Sequence, residues 1–157
     1  MLAAGFVLGA VAGCAGDDEP SVRTPDASAY AAALTPFLPP ADPEEPPKIF
    51  VAPFNEPLVL ENQVAIIDLL GDGYDVTFVD HTATAVDADS IGRPTRDDGL
   101  LLVLAKFPPE PPYVVRVEAY RREDDVSAHL LTLVWRADHW DVASQERVEP
   151  EAVIVDG

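Results

Sequence analysis

Apolar positions fall into three regimes along the chain. Leu2 to Ala12 is apolar and uncharged. From Ala15 to Pro47 apolar residues are diluted by Pro, Asp, Glu, Ser and Ala. From Lys48 onward they recur with the periods of strands and a helix. In this last regime KIFVAP reads as a short strand. NEPLVLENQVAIIDLLGDG predicts a helix with Asn55 as cap, Glu56 and Pro57 in the first turn, and Gly71 or Gly73 as the stop. The helix is preferred to a hairpin joining VAIIDLL to YDVTFVD through GDG. YDVTFVD alternates and reads as a strand, His81 to Asp98 as a polar loop, and LLLVLAKF as a central strand, since its apolar run is unbroken.

After a stiff PPEPP connector the pattern becomes a meander. YVVRVEAYRR places Val115, Val117 and Ala119 on one face. EDD turns the chain, and SAHLLTLVWR places Leu131, Leu133 and Trp135 together. A turn centred between Ala137 and Asp138 sets Trp135 against Trp140 and Leu133 against Val142. The preceding hairpin sets His129 opposite Ala119. The predicted order is β-α-β-β-β-β-β: an α+β domain over residues 48–157, with one helix packed on a curved, mainly antiparallel sheet of about five to six strands.

Residues 14–47 read as a tether. Prolines at 20, 25, 36, 39, 40, 43, 46 and 47 make it a semi-stiff spacer, which reaches up to about 100 Å at about 3.1 Å per residue. Within it, TPDASAYAAAL predicts a short helix over 25–34, with Thr24 as cap and Pro25 in the first helical position. Tyr30 and Leu34, four apart, share a face. Docking of that face on the domain is preferred to capture of a partner.

The chain has 157 residues, 48% hydrophobic, with a formal net charge of −18. That is enough for one domain with appendages. The charge argues against nucleic acid as a partner, because phosphate contacts need clustered Lys and Arg. It also opposes anionic membrane surfaces, so attachment to a membrane must be apolar or covalent. A single cysteine, Cys14, excludes an intrachain disulfide.

Cys14 stands where the apolar run ends and the acidic stretch AGDDEP begins. Eleven helical residues before it would span about 16 Å, too short for a bilayer core of about 30 Å, and they read as a signal-peptide apolar region. VAGC, Val11 to Cys14, resembles the lipobox of bacterial lipoproteins, a resemblance confined to residues 1–14. It implies that residues 1–13 are a signal peptide cut between Gly13 and Cys14. It also implies that the Cys14 thiol carries a diacylglyceryl group, and that the product is anchored on the extracytoplasmic face of an inner or outer membrane. Two or more acyl chains hold a protein stably, at about 0.8 kcal/mol per buried methylene. MLAAGF departs from the pattern in lacking an opening Lys or Arg.

The domain shows no motif for common catalysis. G-x-S-x-G, S-x-x-K, H-E-x-x-H, a Walker-type loop and G-x-G-x-x-G are all missing from the sequence, and no cofactor is expected. Asp80 with His81, and Asp138 with His139 and Asp141, are candidate metal ligands, but adjacent strand residues point to opposite faces, so no metal site is assigned. DADSIG sets Asp87, Asp89, Gly92 and Asp98 at calcium-loop spacing. Ile91 falls at a ligand position and no helices flank the loop, so calcium is not assigned either. Glu118 interrupts a strong strand and shares a face with Arg116 and Tyr120. Those three are the candidate pocket residues, although such a row more often forms a solvated sheet face.

KIFVAPFNEP resembles the opening of envelope-assembly lipoprotein domains, and HWDVASQERVEPE resembles the last strand of cone-shaped domains similar to nuclear transport factor 2. The expected role is that of an exported, lipid-anchored lipoprotein, with a non-catalytic accessory or binding function toward an envelope protein or small ligand. The alternative is a cone that binds or converts a small molecule.

Overall fold

The computed structural model of the protein describes residues 23–152. Gly13 and Cys14, read above as cleavage and lipidation sites, lie outside the described residues. The chain forms helix α1 (Ala27–Leu34), strand β1 (Lys48–Pro53), helix α2 (Leu60–Leu70), strand β2 (Asp75–Phe78), a short helix α3 (Thr82–Ala85), and strands β3 (Leu100–Leu104), β4 (Tyr113–Arg122), β5 (Asp125–Arg136) and β6 (His139–Val148). The strands make one open sheet in the order β2-β1-β3-β4-β5-β6. β1 pairs in parallel with β2 and β3, and the remaining pairs are antiparallel. This is the α+β architecture the pattern predicts.

Every residue of β3 and four consecutive residues of β1, Ile49 to Ala52, are buried. Both strands lie mid-sheet with both faces covered, which is why their apolar runs do not alternate. On the first face, Leu34, Ile49, Val51, Ile66, Leu102, Val115, Leu131 and Leu133 share a core beneath α1 and α2. On the second face a smaller core joins Phe50, Ala52, Leu101, Val103 and Tyr120 to Ala85 and Val86. The 79–99 segment supplies that cover, so it is more ordered than a polar loop. It has a short helix, a bridge between Val86 and Thr95, and a buried Thr95 whose hydroxyl donates to the Tyr120 carbonyl.

The β5–β6 hairpin turns on Ala137 (φ 49°) and Asp138 (φ 63°), and sets Trp135 opposite Trp140 and Leu133 opposite Val142 as expected. Two positive φ angles match the right-handed twist of the flanking strands. The β4–β5 hairpin differs from expectation. Arg122 pairs with Asp125, so Glu123 and Asp124 alone make the turn, and a bulge lies between Tyr120 and Arg122. Together these shift the register by two residues and bring His129 opposite Val117.

α1 begins later than expected. Its cap is Asp26, whose carboxylate accepts from the Ser28 and Ala29 amides, so Pro25 precedes the cap. Tyr30 and Leu34 dock as expected: Tyr30 is nearly buried, Leu34 is fully buried, and the Tyr30 hydroxyl accepts from the Phe107 amide at 3.1 Å. The alanines at 27, 29 and 33 let the helix lie close against the sheet. The folded unit therefore begins well before Lys48. α2 also starts late, at Leu60 behind Val59, because Leu58 is buried and its carbonyl accepts from the Gln63 side chain. Gly71 stops it at φ 75°.

Candidate functional site

The residues singled out on β4 come together on the second face, but the face is not solvated. Glu118 is 2% exposed and Tyr120 is 2% exposed. Their strand positions point outward by alternation, and another part of the chain closes over them. After β6 the chain doubles back across the sheet as a strap, residues 149–152. Glu118 Oε1 accepts from Arg116 Nε at 2.7 Å and from the Glu151 amide at 2.9 Å, and Oε2 accepts from the Ala152 amide at 2.9 Å. Arg116 also donates to the Glu149 carbonyl, lies 3.7 Å from the Glu151 carboxylate, and stacks over Phe54 at 5.3 Å.

A buried carboxylate is tolerated only when paired and hydrogen-bonded, and both oxygens of Glu118 are engaged. The pair grips main-chain groups, so it holds the strap whatever side chains the strap carries. Tyr120 takes no part in this grip. Its hydroxyl donates to the Arg93 carbonyl at 2.7 Å. Burial, with the Glu123 carboxylate nearby, pushes that hydroxyl above its ordinary range and keeps it a donor. Arg116, Glu118 and Tyr120 line none of five clefts on the described surface.

One of those clefts adjoins the strap. It encloses about 650 Å³ at the carboxyl ends of β1 and β2, between Phe54 and Pro57 on one side and His81 and Thr82 on the other, with Glu151 and Ala152 on its rim. Among the described residues no group of three or more His, Cys, Asp or Glu side chains is placed to hold a metal ion. His139 Nε2 meets Asp141 at 2.8 Å, two residues on along the same strand face, and Asp87 is occupied by the Ser90 hydroxyl. His129 lies against Phe37 with its ring Nδ1 buried and unpartnered. Burial first, and the positive charge of Arg147 second, hold its pKa below the usual histidine range.

The strap is the part of this site that the sequence reading missed. Its only sequence signal is the buried acid it needs, Glu118, in a strand of otherwise apolar alternation. α2 contributes a different feature, an exposed apolar stripe of Leu60 (71%), Val64 (50%) and Ile67 (37%) at helical spacing. Compared with known proteins, the chain matches no family model, no curated sequence and no solved structure.

Proposed function

We propose that the protein is an exported lipoprotein, anchored through diacylglycerol on Cys14, whose domain has a non-catalytic accessory or binding role at the cell envelope. The observation that carries this reading is the position of the single cysteine, in VAGC, between an uncharged apolar run and an acidic stretch. Two features of the domain agree with a binding role. The acid best placed to act in chemistry, Glu118, is committed to Arg116 and the strap. The apolar stripe on α2 stands exposed on an otherwise acidic domain, and contiguous exposed apolar surface of this kind accompanies interaction.

The docking of α1 changes the geometry of the anchor. Eleven residues, or 12 residue steps, separate Cys14 from the Asp26 cap. The link between lipid and domain then reaches about 37 Å as polyproline II at about 3.1 Å per residue, and the domain stays near the membrane it is tied to. Intact mass and membrane fractionation of the native protein beside Cys14→Ala test the proposal. The native chain is expected to start at Cys14, to carry acyl mass and to sediment with membranes, while the variant stays unacylated and soluble. Soluble, unprocessed protein in both preparations would overturn it.

A further inference from the structure

β1 and β2 are neighbours and run parallel, but the connections that follow them leave on opposite faces of the sheet. After Pro53 the chain passes to α2, whose Ile66 is buried in the first-face core. After Phe78 it passes to α3, whose Ala85 is buried in the second-face core. The two connections diverge, so a crevice is left between the carboxyl ends of the strands. Ligands of open sheets with parallel strands bind at such a point. The cleft of about 650 Å³ beside the strap is this crevice. Phe54, Asn55 and Pro57 come from the first connection, and Asp80, His81 and Thr82 from the second. Its volume is that of a small-molecule site.

The lining selects the chemistry. Among the described residues, the side chains of Asn55, Asp80, His81 and Thr82 take no hydrogen-bond or ion-pair partner. Polar side chains close by in the chain are committed, Glu56 to Lys106 and Gln63 to the Leu58 carbonyl. Asn55, His81 and Thr82 can each donate and accept, and Asp80 accepts. A hydroxyl also does both, so a row of hydroxyls satisfies the whole set. Phe54 and Pro57 add an apolar wall against which the C–H face of a sugar ring can lie. An anion is opposed by Asp80, by Glu151 on the rim and by the net charge of −18. An organic cation is opposed by Arg116, whose guanidinium already stands over the Phe54 ring at 5.3 Å. Asp80, His81 and Glu151 are not grouped to hold a metal ion.

We infer that this crevice binds a small neutral polyhydroxylated ligand, a mono- or disaccharide. Asn55, Asp80, His81 and Thr82 take its hydroxyls, and Phe54 and Pro57 pack against its ring. Glu151 and Ala152, on the rim, are held by the clamp at Glu118, which therefore shapes the site as well as closing the second face. The inference rests on the binding role proposed above and is independent of the anchor at Cys14.

The test is a chemical-shift titration of the full chain carrying Cys14→Ser with glucose, N-acetylglucosamine and maltose. At least one of these sugars is expected to move the amide signals of Asn55, His81 and Thr82 along a saturating curve. Asp80→Ala is expected to weaken that sugar at least tenfold, with the β3 amides in place in both proteins. Glucose 6-phosphate and tetramethylammonium, the anionic and cationic counter-probes, are expected to bind the crevice more weakly than the sugar. The inference is overturned by no saturable shift with any of the three sugars, by saturation on another surface, or by unchanged affinity in Asp80→Ala. A counter-probe that binds the crevice at least as tightly as the sugar also overturns it. Failure here leaves acylation at Cys14 untouched, and an unacylated native chain leaves these titrations untouched.

Discussion

The two faces of the sheet solve the same problem in different ways. The first face is closed by two helices that lay apolar side chains over apolar strands, with Leu34 and Ile66 fully buried at the centre of their contacts. The second face is closed by irregular chain: the 79–99 segment with its short helix, and the strap after β6. Helices satisfy their own backbone groups, so a helical cover needs only apolar contact. An irregular cover brings unpaired amides and carbonyls, which must find partners once buried. Glu118, Arg116 and Thr95 are those partners. Polar groups in the core of the second face follow from the kind of cover it has, and a catalytic role is not needed to explain them.

Substitution separates the two solutions. Glu118→Ala is expected to have the largest effect, a loss of about 3–5 kcal/mol, because it leaves the largely buried Arg116 guanidinium without its carboxylate and two strap amides without their acceptor. Leu34→Ala is expected to cost about 2–5 kcal/mol through the lost transfer energy and the cavity beneath α1. Denaturant melts of each variant measure both losses. They sharpen the comparison if Leu34→Ala leaves the strap amides protected while Glu118→Ala does not.

A smaller, pH-dependent effect belongs to His129, on the first face. Its folded pKa lies below the unfolded value of 6.5, so the unfolded chain takes up a proton that the folded chain resists. The contribution is fully present above pH 6.5 and is lost as pH falls from there through the depressed folded value. His129→Phe is expected to flatten this part of a plot of Tm against pH. An unchanged slope would assign it to other groups.

The strands were legible because period and burial agree in them. Leu100 to Leu104 reads as buried on both faces and is so, and Trp135 meets Trp140 because a two-residue turn leaves little freedom of register. The position of His129 was not legible, since the two-residue turn and the bulge after Tyr120 each move the pairing by one residue and neither is marked in the apolar pattern. The helix over 25–34 and the docking of Tyr30 and Leu34 were legible from composition and spacing, and the docking itself ends the free spacer at the Asp26 cap rather than at Pro47. The environment of Glu118 was hidden for a different reason. Alternation says which face a residue points to, and it is silent on what another part of the chain lays over that face.

The most direct test of this account is hydrogen exchange at the amides of Glu151 and Ala152, measured in the native protein and in Glu118→Gln. If Glu118 is a clamp, both amides are protected in the native chain and exchange at least tenfold faster in the variant, while β3 keeps its protection. Equal exchange in the two proteins would contradict the account, since the carboxylate would then not be what holds the strap.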